Sequence, residues 1–368
     1  MIRIDEIYDN TVWPWLKQNR PGTRLFCCNP FGRSDPNSVI NYGRSDIYEL
    51  NYTLFFDVQP IDLDIHRATF DEVQRLRNPD IHSRATGPVG SIVTSEKDSD
   101  GVAEVCKLYG WSNHYYFFWG WASLDWYRGY DRTFLITPPE QRTITRTFLS
   151  PNRIIGGTRR HRLLMLYHIF KRGMTNNWFS CPAVCPDERV GVHDMVRQFS
   201  NIYPDIETVF AEQTFPIAFP NETDAPMTSC WLTLFEESAD SLLYLVTETV
   251  ATGRRLHLTE KSFKPICMRM PFIIVGTAGS LRHLRNYGFK TFGDLWDESY
   301  DLETDDVRRV ERIADLLEQL DCMTATQKQA LFDQARPIIE HNYQHFYQGG
   351  FESMLWHELT AMLESMSV

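Results

Sequence analysis

The sequence predicts an α/β fold divided between two domains, and three observations support this. Short apolar runs bounded by Gly or Pro recur along the chain, as at residues 272–275, and such runs are typical of strands in a parallel sheet covered on both faces. Between them lie segments with apolar residues at helical spacing, as at residues 163–170. The length of 368 residues suits two domains of ordinary size.

The composition is that of a globular protein. Hydrophobic residues make up 43% of the chain and charged residues 23%, which excludes a disordered chain. No apolar run reaches the roughly 18 residues that a membrane span requires. The first ten residues, MIRIDEIYDN, have no apolar core behind their charge, as a signal peptide would. We therefore expect a cytoplasmic protein without a membrane span.

The charge of the chain is negative and unevenly distributed. The net charge of −11 argues against a generally basic, nucleic-acid-binding surface. Residues 141–172 nevertheless contain eight Arg or Lys and no acid, whereas residues 294–321 contain eleven acids and three bases. The basic segment is a candidate site for an anionic ligand, and the acidic segment is typical of a solvated helix surface.

The eight cysteines are scattered and mostly lie within apolar runs. This pattern favours buried, reduced thiols in a cytoplasmic protein. An alternative is that Cys181, Cys185 and His193 form half of a zinc site, although no second cysteine pair follows at a suitable spacing.

The sequence of the N-terminal half predicts strands that alternate with helices, and this alternation indicates a parallel or mixed sheet. We predict strands at residues 24–28, 52–56, 91–94 and 115–118, with a helix that ends near residue 108. Residues 109–130 are rich in aromatic side chains, which suit a core and also stack on sugar rings and bases.

The C-terminal half begins after a linker at residues 142–146 with a strand at 147–150. A basic loop then precedes a helix, and it carries Arg153, Arg159, Arg160 and Arg162. Exposed N–H groups and the helix dipole favour a phosphate at such a position, and guanidinium groups add paired donors. The alternative interpretation is a solvated basic loop.

The stretch at residues 242–276 places a polar segment between two buried strands. Glu248 follows the first strand, and Glu260 and Lys261 open the helix that leads to the second. Side chains at these points face the crevice at the carboxyl edge of an α/β sheet, where ligands bind. Further helices are predicted at 281–287 and 306–320, followed by a helical tail with breaks at Pro337 and at Gly349-Gly350.

A strand that ends in Glu248, the motif Thr259-Glu260-Lys261, a helix and an apolar strand that ends in Gly276 together resemble the donor-binding motif of GT-B fucosyltransferase-like glycosyltransferases. Residues 257–292 are also similar to glycosyltransferase-like proteins of tailed phages and marine viruses. The resemblance implies two Rossmann-like domains that face a cleft, with C-terminal helices crossing back. The expected boundaries are 1–145 for the acceptor-side domain, 146–340 for the nucleotide-sugar domain and 341–368 for the helical tail.

The resemblance also assigns donor-binding residues. It implies that Glu260 holds the ribose hydroxyls and that Lys261 neutralises the diphosphate, with Thr259 and Glu248 completing the motif. The family has an Asn where this chain has Thr249. A strand that ends in Ser-Asn precedes the diphosphate-binding Arg of the family, and Arg162 is the best match, flanked by Asn152 and Arg153. The nucleotide sugar is a co-substrate, and no metal or other cofactor is expected.

An inverting glycosyl transfer also needs a base that deprotonates the acceptor hydroxyl. The candidates on the first domain are Asp57, Glu96 and Asp125, and Asp57 ranks first because it follows a buried strand directly. The viral resemblance implies an acceptor that is either a hydroxymethylated base of phage DNA or a glycan or protein, modified in the host cytoplasm. The sugar, the nucleotide and the stereochemical outcome stay open.

Two other functions stay open at this point. One is a metal-dependent GT-A glycosyltransferase, whose Asp-x-Asp motif would be Asp62-Leu63-Asp64 or Asp98-Ser99-Asp100. The other is a non-catalytic binding or virion protein that retains a sugar-nucleotide fold.

Overall fold

The computed structural model describes residues 7–19, 23–27, 52–57, 60, 61, 63, 67, 68, 70, 71, 91–129, 142–219 and 232–366. The chain divides into two compact units. Unit 1 comprises Met1–Asp125, Arg255–His257 and Glu352–Val368, and unit 2 comprises Trp126–Arg254 and Leu258–Phe351. Both contain parallel sheets flanked by helices, so the α/β class predicted from the sequence is confirmed.

These units differ from the predicted domains in a way that sequence order does not reveal. The division after Asp125 lies before the predicted boundary at residue 145. Residues 352–368 belong to unit 1, whereas the predicted tail begins at residue 341. A three-residue segment from the middle of the chain, Arg255–His257, also belongs to unit 1. Leu256 explains this assignment, because it forms a two-way antiparallel backbone bridge with Lys97 at N···O distances of 2.7 and 3.0 Å.

Unit 1 contains a four-stranded parallel sheet in which the strands follow one another in chain order. The strands are β1 (Thr23–Cys27), β2 (Tyr52–Asp57), β3 (Ser91–Thr94) and β4 (Ser112–Tyr115). The described helices of this unit are α1 (Trp13–Asn19), α2 (Asp100–Tyr109) and α3 (Phe118–Leu124), with π-helical turns at Tyr8–Val12 and Asp125–Gly129, the latter lying almost wholly in unit 2. The apolar residues of β3 are buried, as expected for a strand between two neighbours.

The fourth strand differs from its prediction. A strand was expected at residues 115–118, but β4 is Ser112–Tyr115 and the aromatic residues after it begin α3 at Phe118. The side chains of β4 are exposed or half-buried, which is typical of the last strand in a sheet. The apolar run that predicted a strand at 115–118 therefore leads into α3, which is buried over its whole length.

Unit 2 contains a second parallel sheet, built from β5 (Arg146–Ser150), β6 (Trp178–Phe179), β7 (Ser241–Thr247) and β8 (Phe272–Val275). All seven residues of β7 and all four of β8 are buried. The helices are α4 (His161–Lys171), α5 (Val192–Val196), α6 (Ile206–Ala211), α7 (Phe235–Asp240), α8 (Glu260–Cys267), α9 (Ser280–Asn286), α10 (Asp306–Asp321) and α11 (Ala325–Tyr347); 3₁₀ turns lie at Gly157–Arg159, Arg197–Phe199 and Ser299–Leu302. The last helix, α12 (Gly350–Ser365), lies mostly in unit 1.

The strand order of unit 2 is β6-β5-β7-β8, and this order locates a crevice. The chain enters at β5, adds β6 on one side and then returns to add β7 on the other side. The direction of strand addition therefore reverses between β5 and β7. In open α/β sheets, ligands bind at the carboxyl ends of the two strands that flank such a reversal. Among the described strands of unit 1, the order shows no reversal.

One predicted helix break does not occur. Pro337 lies inside the continuous helix α11, whereas the chain does break near Gly349, which has a left-handed φ of 90°. Proline removes one backbone hydrogen bond from a helix. Here α11 packs against α8, β5 and β7, and it has buried residues on both sides of the proline, among them Phe332 and Ile339. This packing keeps the two halves of the helix in line.

No helix within the described ranges combines the length and the apolar character needed to cross a bilayer.

Arg309 of α10 is a buried side chain that connects two loops at the carboxyl edge of the unit 2 sheet. Its Nε donates to the carbonyl of Gly276 at 2.8 Å, directly after β8. Its other nitrogens donate to the carbonyls of Ala251 and Glu303 and to the carboxylate of Asp306. Because buried carbonyls need partners, Arg309 stabilises the loops that follow β7 and β8.

We expect Arg309→Met to lower the free energy of unfolding by about 3 kcal/mol, since three carbonyls lose a hydrogen bond worth about 1 kcal/mol each. Arg308→Met on the same helix is the control. The Arg308 side chain is 66% exposed and lies 3.8 Å from Glu303, so its loss should cost less than about 0.5 kcal/mol. Urea unfolding of both variants measures the difference, and equal effects would contradict the role given to Arg309.

Candidate functional site

Glu248 directly follows β7 and is fully buried. Its Oε1 accepts hydrogen bonds from the backbone N–H of Thr259 at 3.0 Å and from the Ser262 hydroxyl at 2.7 Å. Its Oε2 accepts from the backbone N–H of Thr249 at 3.0 Å and from the Thr259 hydroxyl at 2.5 Å. Four donors fill the acceptor capacity of a carboxylate. Glu248 therefore joins the end of β7 to the start of α8, and no lone pair is left for a ligand.

Thr259 precedes α8 and is also buried. Its side chain does not cap the helix but donates its hydroxyl to Glu248. The Thr of the Thr259-Glu260-Lys261 motif thus has a supporting role, since its hydroxyl and its backbone N–H are both bonded to one carboxylate.

Arg162 lies in the first turn of α4 and is only 4% exposed. Its guanidinium donates to the carbonyl of Ile154 at 2.7 Å and to those of Thr247 and Glu248 at 2.7 and 3.3 Å. Burial and the neighbouring charge of Arg159 lower the pKa of Arg162 to about 9, so it stays charged at neutral pH. Its bonded nitrogens hold backbone at the end of β7, which makes Arg162 a clamp between α4 and β7.

Asn152 connects the carboxyl ends of three strands. Its Oδ1 accepts the Thr247 hydroxyl at 2.6 Å, its Nδ2 donates to the Ser150 carbonyl at 3.1 Å, and its backbone N–H donates to the Ser180 hydroxyl at 2.8 Å. These contacts join the ends of β5, β6 and β7. Arg153, the next residue, is half-buried in the loop after β5.

Glu260 and Lys261 form an ion pair at the start of α8, with 2.6 Å between Oε1 and Nζ. The Lys261 side chain is 25% exposed, whereas that of Glu260 is only 2% exposed. Nζ also lies 3.3 Å from the hydroxyls of Thr249 and Thr259. Burial of Glu260 opposes its ionisation, but the charges of Lys261 and Lys264 and a backbone N–H hold the pKa of its carboxyl below the ordinary value. The site therefore presents an ionised carboxylate beside an accessible ammonium.

Arg159 lies in the 3₁₀ turn before α4 and is half-buried. Within the described part of the chain, its guanidinium makes neither a hydrogen bond nor an ion pair. Burial lowers the pKa of Arg159, and the nearby charges of Asp187, Glu260 and Glu248 partly offset this effect. A half-buried guanidinium without a bonded partner at a topological switch point is suited to an anionic ligand. By contrast, Arg160 is exposed and bonded to Gln198 at 2.8 Å.

The three candidate bases belong to unit 1. Asp57 is the last residue of β2, where its backbone pairs with Thr94 at the carboxyl edge of the sheet. Glu96 is fully buried, and its carboxylate accepts from the Ile61 N–H at 2.6 Å, from the Ser99 hydroxyl and from Arg255 at 3.2 Å. These bonds give Glu96 a structural role.

Asp125, the third candidate base, is buried at the start of the π-helical turn after α3. Its side chain is 5% exposed.

The two Asp-x-Asp triplets and the cysteine pair were the candidate metal-binding groups of the sequence. Ser99 caps α2 by accepting the Val102 N–H, so the 98–100 triplet is a helix start. The 62–64 triplet lies largely outside the described residues. Cys181 and Cys185 are buried free thiols, and burial raises the pKa of Cys181 well above its ordinary value. His193 contacts the ring of Phe215.

One residue of this site, Arg159, was placed by sequence in the basic loop without an assigned role in donor binding. A usable signal existed for Arg159. Apolar residues recur at helical spacing over 163–170, and α4 is buried over most of its length, so an Arg inside its first turn has to bond within the protein. An Arg in the glycine-containing turn before the helix stays accessible.

The chain was compared with protein-family models, with curated proteins and with solved structures, and none of the three comparisons gave a match.

The pH dependence of stability tests the ionised state of Glu260. Its folded pKa lies below the ordinary value of 4.5, so its ionisation stabilises the fold above that pH. The contribution is lost as pH falls from 4.5 through the lower folded value. We expect the stability advantage of the wild type over Glu260→Gln to be constant near neutral pH and to shrink below 4.5.

Urea unfolding at a series of pH values measures this advantage, with Glu236→Gln, an exposed position on α7, as the baseline. An advantage that grows as the pH falls would show that Glu260 is held protonated.

Proposed function

We propose that this protein is a glycosyltransferase that takes a nucleotide sugar as its donor and binds it at the carboxyl edge of the unit 2 sheet. The observation that supports this best is the arrangement at the β5–β7 switch point. Arg159 and Lys261 provide accessible positive charge, and the carboxylate of Glu260 lies beside them. A diphosphate requires cations, and a ribose diol requires an acceptor such as a carboxylate. The resemblance of the 242–276 stretch to GT-B donor sites agrees with this assignment.

In this proposal, Lys261 and Arg159 bind the diphosphate. Negative charge on the diphosphate grows as the bond from the anomeric carbon to the phosphate oxygen breaks. Cations held in place before the reaction stabilise that charge more strongly in the transition state than in the ground state. Lys261 exchanges its 3.3 Å hydroxyl contacts for phosphate oxygens. No metal is required for this stabilisation.

Arg162, Asn152, Thr259 and Glu248 act as positioning residues in this scheme. Their side chains make hydrogen bonds within the protein at the switch point, to backbone and to neighbouring hydroxyl groups. Arg162 holds the carbonyls of Thr247 and Glu248, so it orients the loop that leads to α8. The sequence-based role of diphosphate ligand passes from Arg162 to Arg159.

For the acceptor half of the reaction, we propose the two-domain GT-B arrangement with a base on unit 1. The acceptor hydroxyl transfers its proton to the base as its oxygen bonds to the anomeric carbon, and the nucleoside diphosphate departs. Asp57 is our candidate for this base because it ends β2 at the carboxyl edge of its sheet, whereas the carboxylate of Glu96 already accepts three internal hydrogen bonds. A hydroxymethylated base of phage DNA and a glycan or protein are the proposed acceptors, and host cytoplasm is the proposed compartment.

A second candidate function is a non-catalytic sugar-nucleotide-binding protein. The observation that favours it is the state of Glu96 and Asp125, since one is engaged in structural bonds and the other is buried. If Asp57 does not act as a base, the donor site lacks a catalytic partner among the three candidate carboxylates.

We expect Arg159→Ala and Lys261→Ala each to weaken binding of a nucleoside diphosphate by about tenfold or more, because each removes a charge-assisted hydrogen bond worth about 1.5–3 kcal/mol. Arg197→Ala is the matched control, since this arginine is 63% exposed and pairs with Asp194 and Glu207. Titration calorimetry with UDP and GDP measures all three. Unchanged affinity in both site variants would remove the basis for the donor site.

Donor hydrolysis with UDP-glucose and GDP-mannose separates the proposed functions. We expect turnover that is insensitive to EDTA, because protein cations neutralise the diphosphate. Strict dependence on manganese would instead support the metal-dependent GT-A alternative. Donor binding without turnover, in the wild type and in Asp57→Asn alike, would favour the binding protein.

A further inference from the structure

Residues 255–257, which we call the strap, belong to unit 1 although the chain on both sides of them belongs to unit 2. The backbone of Leu256 is bonded in both directions to that of Lys97, and Nδ1 of His257 donates to the carbonyl of Ser95 at 3.3 Å. His257 is only 1% exposed. Because Ser95 and Lys97 come just after β3, the strap runs antiparallel to the chain that leaves the carboxyl edge of the unit 1 sheet.

The side chain of Arg255 holds the strap through a buried carboxylate. Its Nη1 donates to Glu96 Oε1 at 3.2 Å and to the Ile61 carbonyl at 3.1 Å. The same Oε1 accepts the Ile61 backbone N–H at 2.6 Å, and Oε2 accepts the Ser99 hydroxyl. Among the described residues, Arg255 is the one cation bonded to Glu96. Since a fully buried carboxylate requires donors and a counter-charge, this pair fixes the first residue of the strap.

The donor motif begins two residues after the strap. Thr259 is bonded to Glu248 of unit 2 through both its backbone N–H and its hydroxyl. The Cα atoms of His257 and Thr259 are separated by about 7 Å at most, because they are two residues apart. The Glu260–Lys261 pair follows Thr259 directly, as the first two residues of α8.

Such a short connection leaves little freedom to absorb a displacement. The chain is held at His257 by unit 1 and at Thr259 by unit 2, and the single residue between them, Leu258, is 1% exposed. A long loop would accommodate a shift by rotations about many backbone dihedrals, whereas one buried residue offers few. A shift of the strap therefore has to strain the bonds of Thr259 or move the start of α8.

We propose that Arg255 and Glu96 are positioning residues for donor binding. By holding the strap, they fix the start of α8 and with it the Glu260–Lys261 pair in the geometry that binds the nucleotide. The inference rests on the proposed function and extends it to two residues outside the donor-binding set. Because coupling between two positions is reciprocal, a nucleotide bound at α8 stabilises in turn the bonds between the strap and the rest of unit 1.

Titration calorimetry with UDP and GDP tests the positioning role. Arg255→Met keeps an apolar stem and removes both hydrogen bonds of Nη1. We expect it to weaken binding of the nucleotide that the wild type binds by about fivefold, the lower range of typical coupling between positions. Glu96→Gln keeps an oxygen acceptor for the Ile61 N–H but loses the charge, so it should weaken binding by about twofold.

Leu359→Ala is the control for a general loss of stability in unit 1. Leu359 is a fully buried residue of α12 in this unit, and its side chain makes none of the hydrogen bonds of the strap. The substitution lowers the melting temperature, because it leaves a cavity. We expect its affinity for the nucleotide to equal that of the wild type.

Amide hydrogen exchange gives a second readout, which a purely structural strap would not change. Without nucleotide, residues 258–263 should exchange about fivefold faster in Arg255→Met than in the wild type, because the bond from the Thr259 N–H to Glu248 opens more often. The Leu359→Ala variant should not show this effect. With nucleotide bound to the wild type, the amides of Leu256 and Lys97 should exchange about fivefold more slowly.

Unchanged affinity in Arg255→Met, or an equal loss in Leu359→Ala, would overturn the inference and leave the proposed donor site intact. Exchange at Leu256 and Lys97 that does not respond to a nucleotide bound by the wild type would do the same. If Arg255→Met does not fold, Glu96→Gln decides by the same two measurements. A wild type that binds neither UDP nor GDP would instead overturn the proposed function, and this inference with it.

Discussion

The hydrogen bonds to the carboxylate of Glu248 are the interaction on which the donor site depends. They join the end of β7 to the start of α8 across eleven positions of sequence. Burying a carboxylate is costly unless its acceptors are filled, and here two backbone N–H groups and two hydroxyls fill them. Because the bonds run to Thr249, Thr259 and Ser262, they also set the position of the Glu260–Lys261 pair.

Around this carboxylate, the structure separates buried polar groups that position the backbone from accessible ones that are available to a ligand. Arg162 and Arg309 are both buried and bond to carbonyls of the loops after β7 and β8. His161 lies beside Arg162, and burial lowers the pKa of His161 to about 3. Its ring is therefore uncharged at neutral pH and does not repel the neighbouring arginine side chains. The accessible charges of Arg159 and Lys261 lie outside this framework, where they can exchange partners.

The sequence predicted the buried strands well and the polar contacts poorly, for a physical reason. The strands at 91–94 and 272–275 have the predicted bounds, because an apolar run between polar turns is a local signal. The strand predicted at 115–118 lies three residues earlier, because its exposed side chains give no such signal. Among the candidate ligands, Arg162 and Arg159 differ by three positions in one basic loop. Only the tertiary structure shows that Arg162 is bonded to backbone carbonyls, whereas Arg159 is not bonded to backbone within the described residues. The contribution of residues 255–257 to unit 1 is likewise a long-range pairing that local patterns do not encode.

The proposed donor site is tested most directly by the position of a diphosphate in crystals of the protein grown with UDP or GDP. We expect phosphate oxygens within about 3 Å of the Arg159 guanidinium and of Lys261 Nζ, at the carboxyl ends of β5 and β7, with the ribose hydroxyls on Glu260. We also expect Arg162 to keep its bonds to the Thr247 and Glu248 carbonyls. A nucleotide bound elsewhere, or bound here by Arg162 after release of those carbonyls, would contradict this assignment.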